Sequence, residues 1–311
     1  MPVPTIHFGL QAGLDTDPRA WRELAKKAED SGFDALYVAD HLGATASPFA
    51  ALAAAAVATS TLRVGTYVLN VGVRDPLALA SDAATVDVIS NGRFILGLGA
   101  GHTPVEWSMT GRHYPTPAAR VGRLAETVEV VTKLLRGEVV THHGLYLHVD
   151  DAFLLAPRPV QATIPLLIGG NGAQVLRLGG RRADIVSLTG MGRTLEDGHR
   201  HEVDWSDAAI DGCVACVRDA SPDRQLPVLD ALVQYVGITL HRVKAAVQAA
   251  RHVPGANAAH IIGSPYTLVG TLEQLADEVV QHHERWGFTS YVVRADAIDA
   301  VAALIDRLRR A

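Results

Sequence analysis

Cysteine is almost missing from this chain: Cys213 and Cys216 are the two in 311 residues. No basic and apolar leader precedes the strand-like segment Thr5 to Leu10. Together these lead to the expectation of a reduced, cytoplasmic protein without a disulfide framework. Long apolar runs are missing as well. The longest, Phe49 to Thr59, is too short and too rich in alanine to span a bilayer. Basic runs and aromatic-interleaved basic faces are absent, and the net charge is −5, so neither a membrane nor a nucleic acid is an expected partner. At 48% hydrophobic and 20% charged residues, the chain can bury a large core, as one α/β barrel or as two small domains.

What the chain does have is glycine placed directly after apolar runs. Ser90 to His102 contains a turn (Ser90-Asn91-Gly92), the apolar run Phe94-Ile-Leu-Gly-Leu98, and a glycine-rich exit, Gly99-Ala100-Gly101-His102. A run that does not alternate is what a strand buried on both faces of a parallel sheet requires. The exit offers main-chain N–H groups with few side chains in the way, so a ligand could approach the backbone. A tight turn is the other reading of those glycines.

In chain order, strand-like segments alternate with helical ones. Ile6 to Leu10 is followed by a helix from Arg19 to Ser31, opened by Asp17-Pro18 and closed at Gly32. Leu36 to Ala39 precedes an alanine-rich helix with the cap signal Ser47-Pro48. Leu62 to Asn70 precedes a helix capped by Asp75-Pro76, and the Phe94 strand precedes a helix from about Ala118 to Leu135 that closes at Gly137. Residues 138–161 read as a hairpin excursion. Further strands are expected at Pro165 to Gly169, Ala183 to Leu188, within Leu226 to Ile238, and from Ser290. Helices are expected at Ala173 to Arg182, Trp205 to Asp219, Leu272 to Arg285 (with a Thr271/Gln274 capping box) and Ala297 to Arg310. Residues 240–265 look like an insertion with a helix inside it. Eight strands alternating with eight helices argue for a single-domain (β/α)8 TIM barrel spanning 1–311. A doubly wound open sheet is the second choice, and it lacks its G-x-G-x-x-G turn after the first strand.

Chemistry in such a barrel sits at the C-terminal ends of the strands. Those ends deliver Asp40 and His41, Asn70, Gly101 and His102, Gly169-Gly170-Asn171-Gly172, and Ser187 with Thr189. The second glycine run leads into a helix, whose free N–H groups and dipole make an anion site. With Gly99-Ala100-Gly101 it could hold a phosphate; otherwise it caps a strand. His41 could exchange a proton, with Asp40 orienting it, or the two could form a hydrogen-bonded loop. Asn70 offers a donor and an acceptor suited to a heterocycle edge, or forms a turn. Cys213 and Cys216, with His199 and His201 upstream, suggest a zinc set only weakly; small apolar packing is preferred, and no metal is expected. His142, His143, His282 and His283 read as surface residues.

The assembled residues resemble the luciferase-like monooxygenase superfamily and, within it, actinobacterial F420-dependent oxidoreductases. The carriers are Ser31-Gly-Phe-Asp-Ala-Leu-Tyr-Val-Ala-Asp-His41, Gly65-Thr-Tyr-Val-Leu-Asn70, Ser90 to Gly101, Arg120-Val-Gly-Arg-Leu-Ala-Glu126, Pro165-Leu-Leu-Ile-Gly-Gly170 and Leu268-Val-Gly-Thr-Leu-Glu273. The resemblance implies a bacterial-luciferase-like barrel holding coenzyme F420, or alternatively FMN, at its mouth. It implies a cis peptide at Tyr67-Val68 supporting one face of the cofactor ring, and Asn70 at the ring edge. Ala100, Gly101, His102, Gly169, Gly170, Asn171 and Gly172 would hold the phosphate, and 240–265 would form a lid. It implies catalytic roles for His41, with Asp40 beside it, and for His102.

The glucose-6-phosphate dehydrogenase branch carries Trp and Glu where this chain has Thr45 and His102, which points to a different substrate. The expectation is an F420-dependent oxidoreductase that moves hydride between the deazaflavin and a small organic metabolite, reducing a C=C or C=N bond. An FMN-dependent two-component monooxygenase is the alternative, and a non-catalytic ligand-binding barrel is the alternative of another class. Expected partners are a small-molecule substrate, a second copy in a homodimer, and a flavin or F420 reductase.

Overall fold

The computed structural model describes residues 5–15, 17–192 and 201–310. The chain begins β1 (His7–Ala12), α1 (Pro18–Asp30), β2 (Ala35–Val38), α2 (Pro48–Ala58), β3 (Arg63–Thr66), β4 (Leu69–Asn70), α3 (Pro76–Ile89) and β5 (Phe94–Gly99). It continues with α4 (Pro104–Met109), α5 (Pro117–Leu135), β6 (Val140–His143), β7 (His148–Ala152), β8 (Leu166–Gly169), α6 (Ala173–Arg182) and β9 (Ile185–Leu188). The last third holds α7 (Asp207–Asp219), β10 (Val228–Leu232), β11 (Tyr235–Ile238), α8 (Arg242–Ala250), α9 (Ala258–Gly263), β12 (Thr267–Gly270), α10 (Leu272–Trp286), β13 (Phe288–Arg294) and α11 (Ile298–Arg309). Among the described residues no helix is long and apolar enough to cross a membrane.

Contacts divide the chain into two compact units, one of Ala12–Glu29 with Leu36–Ile168, the other of Met1–Gln11, Asp30–Ala35 and Gly169–Ala311. In the first, β5 is the hub. It pairs in parallel with β3 (Val64 opposite Phe94), with β4 (Asn70 opposite Gly99) and with β8 (Leu96 opposite Leu166). All six of its residues are buried, as the unbroken apolar run requires. β3 and β4 pair with the same neighbour and form one strand, interrupted at Tyr67–Val68, where the peptide bond is cis. At the interruption the Thr66 hydroxyl stands in for the backbone ladder, accepting from Gly97 N–H at 2.8 Å and donating to Gly97 O at 2.9 Å. A Cβ on Gly97 would lie 1.9 Å from the Thr66 carbonyl oxygen, so only glycine allows this approach.

In the second unit β1, β13, β10 and β9 pair in parallel, with Phe8 opposite Tyr291, Ala231 opposite Tyr291, and Asp230 opposite Ser187. Four parallel strands in each unit, alternating along the chain with helices, make the fold the (β/α)8 barrel expected from the sequence.

Local signals explain most boundaries. Asp75 accepts from the N–H groups of Leu77 and Ala78, and Thr271 and Gln274 form a reciprocal capping box. Ser47 differs from expectation: α2 starts after it with Pro48 at its first turn, but the Ser47 side chain makes no cap bond. The Leu226–Ile238 segment also differs, splitting into β10 and β11, and β11 pairs with β12 instead of the main sheet. Residues 240–265 carry two helices, α8 and α9.

Two of the sequence motifs prove to be structural staples. The Arg93 guanidinium, just after the Ser90-Asn91-Gly92 turn, donates to the carbonyl oxygens of Ala56, Thr59, Leu62 and Ser90, tying α2 and α3 to the start of β5. Glu126 on α5 accepts from three successive N–H groups, Leu145, Tyr146 and Leu147, and so seats the β6–β7 hairpin. Burial opposes its charged form, but those bonds outweigh it and hold the carboxyl below its ordinary pKa.

Candidate active site

Within the first unit, three strand ends deliver their polar residues to one cluster. After β2 the chain turns at once. Ala44 N–H and Thr45 N–H both donate to the His41 carbonyl, while the Thr45 hydroxyl accepts from His41 N–H at 3.0 Å and donates to that carbonyl at 3.2 Å. That turn fixes the backbone from which the His41 imidazole projects, with its side chain 44% exposed.

The imidazole Nδ1 lies 3.0 Å from Oε1 of Glu106, a residue only 3% exposed. A carboxylate accepts, so this contact suits the His41 tautomer that carries its hydrogen on Nδ1. The other Glu106 oxygen, Oε2, accepts from Asn70 Nδ2 at 2.7 Å. Asn70 Oδ1 in turn accepts from Gly72 N–H at 2.9 Å. His41, Glu106 and Asn70 therefore form one hydrogen-bonded chain reaching from a half-exposed ring into the core. Gly101 completes it sterically: its φ is +74°, and a Cβ there would lie 2.0 Å from Asn70 Oδ1.

Whereas His41 Nδ1 meets Glu106, Asp40 is directed to Arg74 and the Asn70 backbone. Its carboxylate takes a two-bond fork from Arg74, Nε at 2.8 Å and Nη2 at 2.7 Å, and also accepts from Asn70 N–H at 3.2 Å. Burial disfavours the Arg74 charge, but the Asp40 bonds and charge outweigh it and raise the Arg74 pKa above its ordinary value. Both ends of the Asn70 amide make a bond inside the protein, and the Gly72 bond gives this residue the turn-forming role that was its other reading.

Glu106, Arg74 and the helix that carries Glu106 were not foreseen from the sequence. The signal was present: Thr103-Pro104 repeats the polar-residue–proline pattern that marks other helix starts in this chain. The same short helix carries Trp107, buried over Gly72 so closely that a Cβ there would lie 1.9 Å from the indole. His102 is exposed, its ring edge-on to His41 at 6.1 Å between centroids, and its carbonyl accepts from the Tyr114 hydroxyl at 2.9 Å.

The second glycine run lies in the other unit. Gly170, with φ +154°, donates its N–H to Ser187 O at 3.0 Å. The Asn171 side chain accepts from Gly190 N–H at 3.3 Å and is hydrogen-bonded to the Tyr266 hydroxyl. Gly172 is the N-cap of α6, without a side-chain cap bond, and a Cβ there would meet nothing within 4 Å.

Cys213 and Cys216 lie on α7, half-buried, and burial raises the Cys213 pKa. His199 lies outside the described residues. Among the described residues no three His, Cys, Asp or Glu side chains are arranged to hold a metal. His282 departs from its expected surface role. It is 3% exposed, with Nδ1 3.2 Å from the Tyr291 hydroxyl and Nε2 3.2 Å from Gly263 O.

The sequence matches the luciferase-like monooxygenase family over residues 4–209, and the chain belongs to that family. The F420-dependent glucose-6-phosphate dehydrogenase of Nakamurella multipartita is 34% identical over 193 residues, 59% of this chain and 56% of that one. The 5,10-methylenetetrahydromethanopterin reductase of Methanopyrus kandleri is 33% identical over 190 residues, 58% of this chain and 54% of that one. The chain thus matches a little over half the length of these relatives. The solved structure of the coenzyme F420-dependent tetrahydromethanopterin reductase of Methanopyrus kandleri has a TM-score of 0.77 to this one. It covers 97% of this chain and 99% of that one at 22% identity, a likeness of fold.

Proposed function

We propose that the protein is a coenzyme F420-dependent oxidoreductase acting on a small organic metabolite, in the direction that saturates a C=C or C=N bond. The observation that carries the reading is the half-exposed His41 ring anchored through Nδ1 on the buried Glu106 carboxylate at 3.0 Å. A reduced deazaflavin supplies a hydride and no proton to the substrate, so saturation of a double bond needs a proton source beside it. His41, with its tautomer set by Glu106, would deliver that proton from Nε2. Asn70 keeps Glu106 in place, and the Asp40–Arg74 fork holds the start of the His41 turn to the segment after β4.

The uncapped first turn of α6 and the open space at Gly172 fit a phosphate, with the Gly169 to Gly172 backbone as its cradle. Ala100, Gly101 and His102 would line the cofactor, with Tyr67 and Val68 beneath the ring. The F420-dependent relatives favour the deazaflavin over FMN. A cytoplasmic location, a homodimer and, on the FMN route, a partner reductase belong to the same proposal.

The test is titration of the purified protein with oxidised F420 and, separately, with FMN, followed by fluorescence and absorbance. Selective F420 binding, then anaerobic turnover of unsaturated metabolites, is the expected result. Preference for FMN with an oxygen requirement would turn the reading to a monooxygenase, and binding of neither to a ligand-binding barrel without catalysis.

A further inference from the structure

In the second unit, β1, β13 and β10 reveal which side chains face the barrel interior. Tyr291 turns toward the helical layer: its hydroxyl lies 3.2 Å from Nδ1 of His282 on α10, and its ring stacks on Phe8 of β1 at 5.9 Å between centroids. Side chains alternate along a strand, so Ser290, Val292 and Arg294 on β13 face the interior, as do Gly9 and Gln11 on β1. Hydrogen bonding agrees. Ser290 Oγ donates to Oδ1 of Asp230 on β10 at 2.7 Å, and Arg294 Nη1 donates to Gln11 Oε1. The interior is therefore layered. Asp230 and Ser290 stand opposite each other as a polar level, and Leu232 and Val292, 4% and 0% exposed, form an apolar level above it beside Gly9. Arg294 and Gln11, opposite each other, come last, at the C-terminal ends of their strands.

Those ends are where substrates meet a barrel of this kind. The apolar level closes the way down, and Arg294 is exposed, so its guanidinium is presented at the strand ends. Gln11, only 7% exposed, fixes one edge of it. A neutral amide orients the charge and does not cancel it. A planar fork of N–H donors with a permanent positive charge matches a carboxylate in both shape and charge. We propose that Arg294 anchors the substrate and that the substrate is an unsaturated carboxylate. The double bond in this assignment rests on the function proposed above; the anion site rests on Arg294 and Gln11. One hydride and one proton add across the double bond, and the carboxylate, chemically unchanged, holds the molecule by one end. Gln11 is a positioning residue, acting through Arg294.

Isothermal titration of the full-length protein, alone and loaded with oxidised F420, tests this with crotonate, cinnamate and fumarate and with the amide of each. At least one carboxylate is expected to bind at least about tenfold more tightly than its amide. Arg294→Gln should bring the two within about threefold and leave F420 affinity unchanged. Arg294→Lys keeps the charge without the planar fork, and is expected to lose most of the preference even if Arg294→Gln folds poorly. No carboxylate binding to the wild type, amides bound as tightly, or a preference that survives in either folded variant overturns the proposal. So does a loss of about tenfold or more in F420 affinity in Arg294→Gln, which would assign the guanidinium to an anionic group of the cofactor. Failure of the wild type to bind F420 strikes the proposed function instead, because the carboxylate preference is also read without cofactor.

Discussion

Glu106 and Glu278 are the same residue under nearly the same burial, 3% and 5% exposed, yet their surroundings are opposite. Glu106 has a donor on each oxygen, His41 on one and Asn70 on the other. Glu278 has a cation at 2.8 Å and no aligned hydrogen bond on either oxygen. In a poorly solvated interior, two charge-assisted hydrogen bonds make a carboxylate a fixed part that can orient a neighbour. An adjacent charge without alignment leaves the desolvation cost largely uncompensated. The first is held by two hydrogen bonds; the second rests on one neighbouring charge.

The largest effect is expected at His41. His41→Ala should leave F420 affinity nearly unchanged and lower turnover roughly a hundredfold or more, the usual scale for a general acid or base. Unchanged steady-state turnover would take the Glu106 chain out of the mechanism. Next comes Glu106→Gln. An amide presents an acceptor on one end only, so either His41 or Asn70 must face a donor, at a cost of about 1–3 kcal/mol in urea unfolding. Because the imidazole loses its fixed tautomer, the pH–rate profile should move as well, which a purely structural role would not produce.

Gly172→Asp is expected to weaken F420 binding about tenfold through charge repulsion, on the order of 1.4 kcal/mol. Its melting temperature should hold or rise slightly, because aspartate caps α6. Full affinity in that variant would move the phosphate elsewhere. The smallest loss is expected at the other glutamate: near pH 5, where the folded carboxyl is protonated, Glu278→Gln should cost less than about 1 kcal/mol. A larger loss at 278 than at 106 would reverse the comparison.

The pH dependence of stability sharpens the same contrast. With its pKa raised to about 8 by burial, folded Glu278 keeps its proton where the unfolded carboxyl, near 4.5, has lost it. The folded state therefore binds more protons across that interval, and stability falls as pH rises from about 4.5 through about 8. Burial lowers His282 to about 4, so its effect runs the other way: stability is lost as pH falls from 6.5 toward 4. Above pH 6.5 the Glu278 decline stands alone of the two. Urea unfolding at pH 6.5 and 8 should show a loss in the wild type that Glu278→Gln lacks.

Much of this fold is legible in the residues themselves. Uniform burial of β5 follows from its unbroken apolar run, and the Thr271/Gln274 box and the Asp75-Pro76 start follow from backbone groups that only nearby side chains can satisfy. His41 stood out for its residue type at a strand end, but its partner did not. Asp40 is its neighbour in sequence, whereas Glu106 lies 65 residues away, and the backbone at position 40 directs that carboxylate to Arg74.

Sequence by itself determined the alternation of strands and helices, and through it the barrel and the strand ends where polar residues gather. Those depend on periodicity and on caps, which act over a few residues. Only the tertiary structure decided which carboxylate meets which base, that His282 is buried, and that Arg242 and Glu278 face each other without aligned hydrogen bonds. Each of these depends on distance and angle between side chains far apart along the chain, and no local pattern encodes either quantity.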